Sequence, residues 1–146
     1  MDNTSHIGVL IRKPYFEIMD RLYLQLQDEG YEGSNVMYSS IFQFIEDGKN
    51  LTELARLTNT SKQHVRFLLG NLAKIGYVQK HNDPSDGRAV IYSLTVKGEA
   101  RRARSLEILE NIEREWEDLI GKEEITTLRQ ILKQLVYVLT TNEAKS

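Results

Sequence analysis

The stretch from Asn50 to Thr95, NLTELARLTNTSKQHVRFLLGNLAKIGYVQKHNDPSDGRAVIYSLT, constrains the fold more than any other part of the chain. It reads as two short helices, a tight turn between them, and a β-hairpin with a charged tip. The first helix starts at Asn50, a good N-cap, with Glu53 placed three residues on as a capping-box carboxylate. Leu51, Leu54, Ala55 and Leu57 give it one apolar face at helical spacing. Thr58, Asn59 and Thr60 interrupt that pattern with side chains that bond their own backbone and favour turns. The second helix begins at Thr60 or Ser61 and runs to about Ile75, where Gly76 supplies the stop. Its apolar set is Val65, Leu68, Leu69, Leu72 and Ile75.

The rest of its first turns, Ser61, Lys62, Gln63, His64 and Arg66, can form hydrogen bonds or carry positive charge. A helix lying in a major groove needs such a face: Gln pairs with adenine, Arg and Lys with guanine, and Ser with base or phosphate. Unpaired N–H groups at the helix start add an anion site. Any surface helix also has a polar side, so this helix alone decides nothing. The next twenty residues do. Tyr77–Lys80 and Ala89–Leu94 have strand composition, and the expected tip, His81–Arg88, contains the turn formers Pro84 and Asp86-Gly87. A hairpin directly after such a helix pair is a wing. Arg88 is placed to enter a minor groove, whose negative potential favours arginine. Asp86 is expected to orient Arg88 or a basic neighbour, because a carboxylate repels phosphate.

With these residues the chain resembles the MarR family of winged helix-turn-helix transcription regulators. The resemblance covers nearly the whole length. It includes the helix pair Leu51–Ile75, the Gly76-Tyr77-Val78 exit and the wing Asp83-Pro84-Ser85-Asp86-Gly87-Arg88. It continues through Leu94–Ala100, which is similar to the family's L-T-x-x-G stretch opening a long helix. Asp83, Asp86 and Arg88 match the D-x-R-D-x-R wing signature, while Ser85 stands at its first Arg and Phe67 at a position basic in many relatives. The resemblance implies a mainly α fold with a small β-hairpin wing, and terminal helices that form a dimer. It also implies release of DNA by a small aromatic or phenolic ligand bound between the dimer region and the reading head. Tyr15, Met19, Tyr38 and Phe42 are candidates to line that cleft, although such residues at helical spacing also make ordinary core.

At 146 residues, with 27% charged and 40% apolar residues, the chain is one domain's worth of folded protein. No apolar run approaches the roughly 20 residues that span a bilayer. The N-terminus has no basic segment ahead of an apolar one, so the expected location is cytoplasmic, with no membrane partner. The chain has no cysteine, which excludes disulfides, thiol-based zinc sites and thiol oxidant sensing. His6, His64 and His81 lie in different elements without metal-ligand spacing, and no nucleophile motif or phosphate-cradling glycine loop occurs. Neither cofactor, metal nor catalysis is expected. Net charge is only −2, but Ser61–Arg104 holds nine Lys/Arg against three Asp/Glu, a local +6 that leaves −8 elsewhere. That asymmetry predicts a positive surface at the reading helix and wing.

The DNA-binding region is expected over residues 34–94, with dimerisation helices over 5–30 and 95–141. In the first helix Ile7, Ile11, Ile18, Leu22 and Leu26 recur at helical steps, and Pro14 either kinks or begins it. Ser34 is expected to cap a second helix through Ile45. After the wing, Thr95 caps a helix to about Ile120, near 40 Å long at roughly 1.5 Å per residue, with Leu109, Ile112, Trp116 and Leu119 as its stripe. A last helix carries Ile125, Leu128, Leu132, Leu135 and Leu139. These terminal stripes suit a homodimer, or packing within one chain. The functional expectation is a homodimeric regulator, a repressor in the first instance, on a pseudo-palindrome of double-stranded DNA, with reading helices about 34 Å apart. The alternative is a winged helix that docks another protein. A third reading is metal-dependent regulation through the histidines.

Overall fold

The computed structural model describes residues 5–143. The chain forms α1 (Ile7–Asp28), a 3₁₀ turn (Val36–Tyr38), α2 (Ser39–Phe44), α3 (Leu51–Leu57), α4 (Lys62–Ile75), the strands β1 (Val78–Asn82) and β2 (Val90–Leu94), α5 (Val96–Ile120) and α6 (Lys122–Glu143). It divides into two compact units, one ending at Glu107 and one beginning at Ile108.

In the first unit, α2, α3, α4 and the hairpin surround a core built on Ile41, Ile45, Leu54, Val65, Leu68, Leu69, Leu72 and Tyr77. The capping box that starts α3 is complete: the Glu53 N–H donates to Asn50 Oδ1 at 2.8 Å, and the Asn50 N–H donates to Glu53 Oε2 at 3.1 Å. Asn59 supplies the turn by taking a left-handed conformation, φ 52°. Ser61 caps α4, its Oγ accepting from the His64 N–H at 3.1 Å. At the other end Gly76, φ 93°, lets Tyr77 N–H reach the Leu72 carbonyl at 2.9 Å while its own N–H reaches Ala73 at 3.0 Å. That is a Schellman closure, and it turns the chain directly into β1.

The two strands pair antiparallel from Val78 opposite Leu94 to Asn82 opposite Val90. The hairpin is therefore longer on its outgoing side than the sequence suggests. His81 and Asn82 belong to β1 and not to the tip, because the first turn former, Pro84, comes two residues later. Lys49 exchanges both backbone hydrogen bonds with Tyr92, at 3.0 and 2.8 Å, and so ties the base of the wing to the start of α3.

Two further details differ from expectation, and one open alternative is decided. Asn35, not Ser34, caps the element after α1: its side chain accepts from the Met37 N–H, while the buried Ser34 hydroxyl donates to the Tyr31 carbonyl at 2.7 Å. Of the two alternatives for Pro14, the structure takes the interior one: Pro14 lies inside α1, on an exposed stretch where water can serve the carbonyl left without its donor. In α5 the buried apolar side chains are Ile108 and Ile112, with Leu109 and Trp116 half-buried and Leu119 exposed. A bidentate pair joins Glu29, at the end of α1, to Arg104 at 2.7 and 2.8 Å, and both residues lie in the first unit.

The second unit comprises the rest of α5, the turn at Gly121 (φ 132°) and α6. Arg129 and Glu113 bridge its two helices at 2.6 Å, and Ile125 is buried. Beyond Ile125 the apolar residues of α6, including Leu128, Leu132, Leu135 and Leu139, are exposed. No helix among the described residues is long and apolar enough to cross a membrane.

Two helical glycines should respond oppositely to the same substitution. A Cβ on Gly98 would lie 2.1 Å from the Tyr77 carbonyl oxygen, whereas one on Gly70 would meet nothing within 4 Å. Urea denaturation should show Gly98→Ala destabilised by about 1–3 kcal/mol and Gly70→Ala stabilised by up to about 1 kcal/mol.

Candidate nucleic-acid interface

Helix α4 turns Val65, Leu68, Leu69 and Leu72 into the core. The opposite stripe, at steps of four, three and four, is Gln63, Phe67, Gly70 and Lys74, and all four are exposed. Ser61, Lys62, His64 and Arg66 are exposed as well. The Ser61 oxygen is engaged as the cap, so it meets a ligand only through its remaining hydrogen-bonding capacity. Arg66 occupies the flank toward the wing. It lines a notch of about 370 Å³ with Asn50, Leu51, Thr52, Ala89, Val90 and Tyr92. Helix α4, the N-terminus of α3 and the root of the wing thus meet at one arginine.

The wing tip is shaped by its own short polar side chains. Asp83 Oδ1 accepts from both the N–H and the Oγ of Ser85, at 2.9 and 2.8 Å. Asp86 Oδ1 accepts from the Arg88 N–H at 3.1 Å. Backbone bonds from Asp83 N–H to the Ala89 carbonyl and from Ala89 N–H to the Asp86 carbonyl, at 2.9 and 3.0 Å, close the loop. Asp86 therefore orients Arg88, but through its backbone amide and not its guanidinium. The Arg88 side chain is exposed. Donation from the Ser85 amide and hydroxyl holds the Asp83 carboxyl below its ordinary range.

The positive surface is smaller than the local charge count suggests. Arg102 pairs with Glu46, Arg104 with Glu29 and Glu107, and Lys97 Nζ donates to the Ile75 carbonyl at 2.7 Å. Arg101 is buried. Lys62, Arg66, Lys74, Lys80 and Arg88 remain on the exposed faces of α4 and the hairpin.

The four ligand candidates have different surroundings. Tyr38 and Phe42 are core residues: the Tyr38 hydroxyl accepts from Asn71 Nδ2 at 3.4 Å, and Phe42 meets Tyr77 edge-on at 5.9 Å. Met19 is half-buried, and Tyr15 is exposed on α1, edge-on to Phe16. Sequence reasoning missed Arg101. Only 2% exposed, it lies over the Phe42 ring at 4.0 Å and 5.7 Å from that of Tyr77, and its Nε has no hydrogen-bond partner among the described residues. Burial pushes its pKa down, opposed by Tyr77, Tyr23 and Tyr31. Within the run Arg101-Arg102-Ala103-Arg104 it looks like a surface cation; the available signal was its place seven residues before the apolar Ile108. Among the described residues no group of three or more His, Asp or Glu could hold a metal ion.

Residues 43–98 match the family model of the winged helix DNA-binding domain. Those residues fold as a winged helix. Solved structures of similar fold include transcriptional regulators, among them MarR and a MarR-family regulator from Rhodococcus. The repressor CouR, bound to a 23-mer DNA duplex, is 20% identical; the match covers 91% of this chain and 94% of CouR, with a TM-score of 0.72. The transcriptional regulator Tm0710 of Thermotoga maritima is 28% identical over 94% of this chain and 96% of its own, with a TM-score of 0.61. MarR of E. coli, in its apo form, is 19% identical over 89% and 96%, with a TM-score of 0.67. No curated protein matches by sequence alone.

Removing the Ser85 hydroxyl should expose its part in the wing of this MarR-type fold. In Ser85→Ala, Asp83 should titrate closer to the ordinary carboxylate range when followed by NMR. The folded-state pKa is the lowered one. The ordering it gives the tip is therefore full above the ordinary aspartate range, near 4, and is lost as pH falls through the lowered value.

Proposed function

We propose that this chain is a sequence-specific transcriptional regulator, a repressor, that binds a pseudo-palindrome in double-stranded DNA as a homodimer and leaves it when a small aromatic acid binds. The observation that carries the reading is the joint exposure of Gln63, Lys62 and Arg66 on α4 and Arg88 on the wing, with Arg66 at the root of that wing. A helix with this face suits the major groove and an exposed wing arginine the minor groove. CouR, which shares the fold, is bound to duplex DNA.

Dimerisation is supported by apolar residues exposed in each unit. The N-terminal half of α1 exposes Ile7, Leu10, Ile11 and Phe16, and α6 exposes Leu132, Leu135, Val136 and Leu139. A monomer in water does not keep such stripes uncovered without a use for them. An aromatic acid as effector is supported by two relatives in fold. NadR forms a complex with 4-hydroxyphenylacetate, and DNA binding by BpsR of Bordetella bronchiseptica is regulated by 6-hydroxynicotinic acid. In this chain Arg101 is a buried cation stacked on aromatic rings with no acidic partner among the described residues, which suits the carboxylate of such a ligand. The effector must bind the DNA-free geometry better, by 1–3 kcal/mol for a typical coupling.

Phe67, 57% exposed, favours the rival reading of a protein-docking surface. Salt separates the two, because phosphate contacts release counterions and apolar docking does not. Duplexes selected from a random pool should show inverted half-sites about one helical turn apart and lose affinity steeply with added salt. In gel-shift titrations Arg88→Ala should weaken binding to every sequence. Gln63→Ala and Arg66→Ala should relax selectivity by about 1–3 kcal/mol per base pair read. Wild-type affinity and selectivity in all three would remove the assigned roles. Sedimentation equilibrium should give a dimer, and Leu135→Asp a monomer; a monomeric wild type would end the palindrome argument.

A further inference from the structure

Phe67 stands out on the outward stripe of α4. Its neighbours there are Gln63 one turn before, Gly70 one turn after, and Lys74. An aromatic ring held in water in the middle of a cationic face lacks the usual explanation of core packing, since the helix already buries Val65, Leu68, Leu69 and Leu72 on its other side. Gly70 is equally unexplained by the protein. A side chain there would meet nothing within 4 Å, so packing does not require a glycine, and glycine is a poor helix former. Both residues make sense if a surface comes close to this side of the helix: the bare turn at Gly70 lets it approach, and Phe67 is what it meets.

Resting on the DNA-binding reading above, we propose that Phe67 selects thymine in the bound sequence, its ring packing on the C5-methyl group that thymine alone among the bases of unmodified DNA presents in the major groove, with Gly70 leaving room for the approach. Apolar contact with that methyl is one of the few ways a side chain without hydrogen-bonding groups can read a base. Gln63 lies roughly 6 Å back along the helix axis, so a helix aligned with the groove sets the two residues about two base pairs apart. The surrounding Lys62, Arg66, Lys74, Lys80 and Arg88 fit a phosphate-lined groove, where they would be attracted, better than an apolar protein face, where they would be desolvated.

The test replaces thymidine by deoxyuridine, one position at a time, in a duplex enriched by the wild-type protein from a random pool. The exchange removes only the methyl group and keeps the base pair. At one position in each half-site the wild type should lose about fourfold in affinity, the equivalent of roughly 0.8 kcal/mol for one buried carbon group. Phe67→Ala should bind the thymidine duplex more weakly and be indifferent to the exchange, whereas Phe67→Leu, still apolar, should keep part of the discrimination. Gly70→Ala should lose affinity although its helix is no less stable. The exposed position of Phe67 makes folding of its variants a control rather than an obstacle, checked by far-UV circular dichroism and a urea midpoint. A wild type that holds the duplex but ignores every deoxyuridine overturns the proposal, as does a Phe67→Ala variant that remains as sensitive as the wild type. Enrichment of no duplex at all would instead overturn the DNA-binding reading beneath it.

Discussion

The arrangement of α4, the hairpin and α5 depends on one crowded junction around Tyr77. Gly76 ends α4 in a left-handed conformation, and Tyr77, fully buried, passes the chain into β1. Its carbonyl accepts from the Thr95 N–H at 2.9 Å, and the Thr95 hydroxyl donates to the Gly76 carbonyl. The same hydroxyl accepts from Gly98 N–H at 3.1 Å and so caps α5. Lys97 reaches back to the last turn of α4 through the Ile75 carbonyl. Four backbone groups that a helix end would otherwise leave to water are thereby used to fasten three elements together. Gly98 is the one residue type that fits against the Tyr77 carbonyl at this distance. Helix α4 and the wing inherit their mutual placement from this point and from the Lys49–Tyr92 bridge.

Charge in this protein is organised by pairing as much as by number. The basic residues at the start of α5 look in the sequence like an extension of the cationic face, yet three of the four are occupied: Arg102 and Arg104 with carboxylates, Lys97 with a carbonyl. The fourth, Arg101, is held by aromatic faces where a carboxylate would ordinarily be expected. Stacking of a guanidinium on Phe42 recovers part of the lost hydration, but it leaves the Nε without an acceptor. On α4 and the wing, Arg66 and Arg88 stay exposed.

Much of this was legible in the residues themselves. The capping box at Asn50, the stop at Gly76 and the cap at Thr95 are short-range devices whose chemistry lies within four residues, so the sequence discloses them directly. The period of Val65, Leu68, Leu69 and Leu72 showed which face of α4 is inward. What was hidden depends on contacts distant in sequence. Nothing local tells that Arg101, rather than Arg102, meets Phe42 nearly sixty residues earlier. Tyr38 and Phe42 suit a cleft as well as a core in the sequence, because an aromatic at helical spacing looks the same in either; in the structure both belong to the core of the first unit. The strand limits failed for a related reason, since cross-strand pairing with Ile91 and Val90 carried His81 and Asn82 into the ladder against their weak strand preference.

The wing tip has a consequence of its own. Its shape is fixed by hydrogen bonds from a hydroxyl and backbone amides to Asp83 and Asp86. A tip braced by an arginine–carboxylate pair would soften as dissolved ions screened that pair. Among the described residues this tip rests on no such ion pair, so added salt leaves its shape in place.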